Sequence, residues 1–174
     1  MSQLIVLPGF SIKNREWARE VESSAKRTHP ELKTEVLEWK HWRSGNKDDW
    51  DVDHEVSRLN QLAVDPEVMI VAKSLGTLVA ATYINKFHAQ PIKIVLCGIP
   101  LADTTKEEQQ EYVKFLKQHG NSEAVLIIQN RLDNHGTSEE LKDFFVQNSV
   151  HFPITVRDRD DHHYPFYDLI INHL

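Results

Sequence analysis

Ser74 is the residue from which a chemical reading of this chain starts. It follows the apolar run Val68-Met69-Ile70-Val71-Ala72 after one lysine, Lys73, and Leu75-Gly76 and a mostly apolar helical pattern to about Phe87 come after it. A serine at the point where a buried strand turns directly into a helix has its hydroxyl lifted above the sheet edge. There it sits beside a helix N-terminus that favours developing negative charge. This is the setting of a nucleophile elbow, G-x-S-x-G, met here except that Ala72 stands for the first glycine. A plainer explanation also exists, because serine is a preferred helix N-cap and needs no chemistry in that role.

A nucleophilic serine in an alternating chain of this kind needs an acid and then a histidine, each following a later strand. Asp133 follows the apolar run Ala124–Ile128, and His162 and His163 follow the weaker run Val150–Val156. The carboxylate would hold one ring nitrogen of the histidine and stabilise its cation, while the histidine takes the serine proton and returns it to the leaving group. Taken singly, Asp133 also reads as a turn-former, and the two histidines as a polar loop before the last helix. Asp160 and Asp161 beside them raise a metal reading. Neighbouring side chains diverge, however, and no H-E-x-x-H or paired C-x-x-C accompanies them, so neither a metal nor a cofactor is expected. An oxyanion hole needs two backbone N–H groups. Leu75 would supply one; the other should come from Pro8-Gly9-Phe10, where Pro8 has no N–H and Gly9 permits an unusual backbone, leaving Phe10.

The elements that must position these residues can be read from hydrophobic periodicity. Six short apolar or alternating runs, Leu4–Leu7, Thr34–Trp39, Val68–Ala72, Ile92–Cys97, Ala124–Ile128 and Val150–Val156, predict strands. Helical patterns lie between them: Lys13–Arg27, a segment from Asp49 or Asp51 to Val64, Leu75–Phe87, Lys106–His119, Ser138–Gln147 and Pro165–His173. Trp39-Lys40-His41-Trp42 is expected to run into a loop at Ser44-Gly45-Asn46. Strands apolar throughout and alternating with helices imply a mostly or wholly parallel sheet covered on both faces, a three-layer α/β/α domain. Ligands bind such sheets at the carboxyl ends of the strands, where Pro8–Ser11, Lys73–Gly76, Gly98-Ile99-Pro100, Asn130–His135 and Arg157–His163 fall.

Composition narrows the classes. The 174 residues, 40% hydrophobic and 26% charged, suit one domain with its own core and exclude a disordered or low-complexity chain. A net charge of −6 with no basic run argues against nucleic acid as a partner. The lone Cys97, inside an apolar run, reads as a reduced core thiol. No stretch is long enough to span a membrane, and the N-terminus has no export signal, so a cytoplasmic location is expected.

Together these residues resemble the α/β-hydrolase fold, and within it the small, cap-less serine hydrolases of the retinoblastoma-binding-protein and YdeN type. Leu4–Phe10 resembles the first strand and its Pro-Gly turn, Ala72-Lys73-Ser74-Leu75-Gly76 the elbow, and Ile127–Asp133 the strand ending in the acid. Asp161-His162-His163-Tyr164 resembles D-H-x-F/Y. The resemblance covers nearly the whole chain, departs from the family at Ala72 and Lys73, and implies that His162 is the base, with Tyr164 packed beneath the loop. It further implies a single domain over residues 1–174 and a small-molecule acyl substrate, an ester, thioester or amide cleaved through an acyl-enzyme. The pocket would be shallow, with Ser11, Trp39, Trp42, Ile99 and Pro100 as candidate lining. A binding protein on the same scaffold is the competing reading, though no residue indicates a protein partner.

Overall fold

Each apolar run forms a strand of one six-stranded sheet: β1 (Ser2–Leu7), β2 (Lys33–Val36), β3 (Glu67–Lys73), β4 (Lys93–Cys97), β5 (Val125–Asn130) and β6 (Thr155–Arg157). The computed structural model describes residues 2–119 and 123–174. All strand pairs are parallel, in the order β2-β1-β3-β4-β5-β6. The connections carry α1 (Asn14–Thr28), α2 (Lys40–Ser44), α3 (Val52–Leu62), α4 (Leu75–Phe87), α5 (Lys106–His119), α6 (Ser138–Gln147) and α7 (Tyr167–His173).

The two-residue period of a strand sorts its apolar side chains into two layers. Leu4, Val6, Met69, Val71, Val95 and Cys97 meet α1 and α7, through Trp17, Val21, Ala25, Ile170 and Ile171. Ile5, Leu7, Ile70, Ala72, Ile94 and Leu96 face the opposite layer, where Leu59 of α3, Leu78 of α4, Phe115 of α5 and Phe145 of α6 close the larger core. Both faces are covered, which is why the central strands are apolar without interruption. The order reverses between β1 and β3, and the loops leaving these two strands are the Pro8–Ser11 segment and the elbow. Such a switch point leaves a crevice at the carboxyl ends of the strands.

Three elements differ from the sequence-based expectation. Lys40–Ser44, where the sequence pattern predicts no helix, forms α2, so the expected loop at Ser44-Gly45-Asn46 starts one residue later, at Gly45, whose φ of +73° stops the helix. The second strand stops at Val36 rather than Trp39, because after Leu37 N–H bonds the Val6 carbonyl the Glu38 N–H turns back to Val36. The last strand is only Thr155–Arg157, an edge strand paired on one side, while Val150 and Phe152 enter the core from irregular chain. Among the described residues no helix is long and apolar enough to cross a membrane.

Packing is close where β3 turns into α4. A Cβ on Gly76 would lie 2.4 Å from the Leu7 carbonyl oxygen and 2.6 Å from that of Pro8, both backbone atoms that cannot swing aside. Lys73 is buried there, its Nζ hydrogen-bonded to Asn14 Oδ1 and 5.9 Å from the centre of the Trp17 ring. Burial pushes its pKa down to about 8, against smaller opposing effects of Cys97, Asp133 and Asp161.

Two predictions follow from this junction. Gly76→Ala should cost roughly 3 kcal/mol, since an added methyl must move backbone, and lower the melting temperature by about 6–12 °C in calorimetry. Lys73→Met should melt higher than the parent at pH 7. A lysine whose folded pKa is depressed opposes folding while protonated, and the penalty fades as pH rises from about 8 to the ordinary 10.5. The advantage of the methionine variant should therefore shrink across that window, and a difference independent of pH would contradict it.

Candidate active site

The elbow is held in a conformation that a side-chain-bearing residue rarely adopts. Ser74 has φ +54° and ψ −130°, of a kind that costs on the order of 1–3 kcal/mol and must be over-determined by its surroundings. Its N–H bonds the Cys97 carbonyl at 3.0 Å, and its own carbonyl accepts from Thr77 N–H at 2.8 Å and Thr77 Oγ1 at 2.6 Å. Thr77 is tied in turn to the buried Tyr112 hydroxyl. The serine side chain makes no capping hydrogen bond, so the helix-cap explanation of its presence does not hold.

Asp133 stands on the turn after β5, 1% exposed, and accepts hydrogen bonds from three sources. His162 Nδ1 lies 2.9 and 2.7 Å from its two oxygens, His135 N–H 2.8 Å from Oδ1, and the Tyr164 hydroxyl 2.5 Å from Oδ2. Burial would raise the carboxyl pKa, but the hydrogen bonds from His162 and Tyr164, the charge of His162 and the His135 N–H outweigh it and hold the group below its ordinary value. An ionised Asp133 fixes the His162 tautomer with the proton on Nδ1 and Nε2 free to accept. That Nε2 is buried and has no hydrogen-bond partner among the described residues.

Ser74 and His162 line the same cavity, about 370 Å³, with Phe10, Ser11, Leu75 and His135 also on its walls. The N–H groups of Phe10 and Leu75 make no hydrogen bond among the described residues. Gly9, between Pro8 and Phe10, does not use the backbone freedom of glycine, since its φ is not positive. Space is the constraint there, since a Cβ would come within 2.7 Å of the Asn14 side chain and 3.1 Å of Ser74 Cβ.

Of the expected lining residues, Ser11 reaches the cavity and the others do not. Trp39 is fully buried, with its indole N–H on the Gly9 carbonyl at 3.0 Å. Trp42 borders a neighbouring apolar cavity of about 210 Å³ shared with Phe10 and Ile12. Ile99 belongs to the core and Pro100 is buried beside it, because the chain turns inward after β4. His163 is exposed and lies outside the cavity, its N–H facing Asp161 and its carbonyl held by Asn130. Among the described residues no three His, Cys, Asp or Glu side chains are placed so that they could hold a metal ion.

Several further residues shape the site. Asn130 holds the His162 loop through the carbonyls of Asp161 and His163, and its N–H bonds the Tyr164 hydroxyl. A buried polar residue ending an apolar strand was the available signal. Tyr164 does more than pack beneath the loop: its hydroxyl donates to Asp133 and its carbonyl accepts from Trp17 Nε1. His135 Nδ1 and Asp103 Oδ2 are hydrogen-bonded at the rim, with the His135 ring 4.3 Å from that of His162. Nothing in their local sequence marks them.

No protein-family model and no curated protein matches the chain. Solved structures do. A protein of Xanthomonas campestris pv. campestris described as a hydrolase of the α/β superfamily superposes with a TM-score of 0.64 at 14% identity, covering 99% of this chain and 95% of its own. A YdeN-like hydrolase from Pectobacterium atrosepticum gives 0.66 at 13% identity over 99% and 90%. Mouse alpha/beta hydrolase domain-containing protein 10 gives 0.68 at 15% identity over 98% and 86%. At these identities the likeness is one of architecture, and it extends from end to end: the chain has the α/β-hydrolase fold.

Proposed function

We propose that the chain is a serine hydrolase that cleaves a small ester, thioester or amide by way of an acyl-enzyme on Ser74. One observation carries this reading: a strained serine shares a cavity with a histidine whose Nδ1 is clamped by a buried carboxylate and whose Nε2 is left without a partner. The described hydrolases of the same fold support it. One fold hosts many activities, so the weight rests on the geometry.

In acylation Ser74 Oγ attacks the substrate carbonyl carbon while its proton passes to His162 Nε2, and Asp133 stabilises the imidazolium. The carbonyl electron pair moves onto oxygen, where the N–H groups of Leu75 and Phe10 receive it. Collapse re-forms the carbonyl and expels the alcohol, thiol or amine, which takes the proton from His162. Water then attacks the acyl-enzyme, gives its proton to His162, and the second collapse releases the acid and returns the proton to Ser74. The hydrogen bond from Ser74 to His162 is not formed in this structure; such contacts commonly tighten only with substrate bound. Within the same reading residues 1–174 are one catalytic domain without a cap, and the cavity suits a small acyl group.

The test is labelling by a fluorophosphonate probe together with turnover of a short aryl ester. Ser74→Ala should abolish labelling and reduce turnover by roughly 10⁴–10⁶. His162→Ala should lose nearly as much, because members of a triad act as a unit, whereas His163→Ala should lose far less. An unlabelled parent protein would make the chain a binding protein on a hydrolase scaffold. A dead His163→Ala beside an active His162→Ala would move the base by one residue.

A further inference from the structure

The oxyanion donor assigned to Phe10 lies on a short loop that nothing in its own sequence stiffens beyond Pro8. What holds it is a set of ring N–H groups from α2 and the residue before it. Trp39 Nε1 donates to the Gly9 carbonyl at 3.0 Å, while Trp42 Nε1 and His41 Nε2 lie 2.7 and 2.8 Å from the Phe10 carbonyl. A carbonyl only accepts, so all three ring nitrogens act as donors. A trans peptide is planar, with its N–H pointing opposite its C=O. The described chain contains no cis bond. The Gly9 carbonyl and the Phe10 N–H are therefore two ends of one plate, and the indole grips one end.

The following plate, Phe10 C=O with Ser11 N–H, is gripped as well, so neither can flip without breaking buried hydrogen bonds. Trp39 is fully buried and edge-on to both Trp42 and Trp50, and the Phe10 ring stacks on His41 with centroids 4.4 Å apart. α2 has five residues and no stability of its own. It is seated by Glu55 of α3, whose fully buried carboxylate accepts the Lys40 N–H at 2.8 Å and pairs with Arg58. A buried carboxylate is costly unless it is bonded in this way. We propose that Trp39 is a positioning residue for the oxyanion hole, its indole N–H aiming the Phe10 N–H at the substrate oxygen that becomes negative in the transition state.

This inference rests on the serine-hydrolase reading and can fail without it. Trp39→Phe keeps an aromatic ring and removes the donor. With a short aryl ester its kcat should fall roughly 10–100-fold, while KM stays within about twofold of the parent, since the oxyanion contact matures only in the transition state. A second readout does not depend on turnover. In ¹⁵N-labelled protein phosphonylated on Ser74, the amide protons of Phe10 and Leu75 should both move downfield in the parent; in Trp39→Phe the Phe10 displacement should be lost and that of Leu75 kept. If Trp39→Phe does not fold, benzothienylalanine at position 39, which has the shape of tryptophan without its N–H, serves for both measurements. Parent-like kcat and an undiminished Phe10 displacement in either variant would overturn the proposal and leave the hydrolase reading intact. A parent protein with no Ser74-dependent labelling or turnover would overturn both.

Discussion

A helix begins within hard-sphere contact of the neighbouring strand, and the site is arranged around that contact. α4 starts so close to the end of β1 that only hydrogen fits at position 76, against the carbonyls of Leu7 and Pro8. To enter the helix at that distance the chain must turn within one residue, and Ser74 takes up the turn at φ +54°. The strain is retained because Cys97, Thr77 and the core around Tyr112 hold the peptide on either side. The same closeness brings the Gly9 segment against Ser74 Cβ, so the two candidate oxyanion donors are neighbours by construction.

The other half of the site is organised by a single buried charge. Asp133 has almost no contact with solvent, and a carboxylate in that position is tolerable only if its lone pairs are filled. His162, Tyr164 and the His135 backbone fill them, and each contact also fixes something else: a tautomer, the floor of a loop, the course of the turn after β5. Tyr164 is anchored at its carbonyl by Trp17 of α1, so the histidine loop is tied to the helix layer behind the sheet. Asn130 closes the arrangement from the end of β5. The acid thus acts on the loop's shape as well as on the imidazole.

These two halves meet at a topological switch point, and the Phe10 loop on one side of it packs against an aromatic cluster. Phe10 stacks on His41 and meets Trp50 edge-on, and Trp39 and His41 each pack edge to face with Trp42 and Trp50. Trp39, His41 and Trp42 offer their ring N–H groups to the backbone, and His41 and Trp42 also border the neighbouring apolar cavity. Residues that would pass for pocket lining on type alone therefore serve as a brace for the loop.

Local pattern was enough for the order of elements. The helices 75–87, 106–119 and 138–147 have the bounds their periodicity predicts, and each of the six apolar runs overlaps one of the six strands, the last by only two residues, because amphipathic period and burial on both faces are properties of a few adjacent residues. The chain order of Ser74, Asp133 and His162 could also be read, since each follows a strand end and the carboxyl ends of parallel strands share one edge. The direction of a side chain could not. Whether Trp39 faces a pocket or the core, whether Ile99 and Pro100 line a site or sit beneath it, and which group the Tyr164 hydroxyl meets are decided by segments tens of residues away. The five residues of α2 were illegible for the same reason: so short a helix has no propensity signal, and it exists because a buried glutamate and three rings hold it in place.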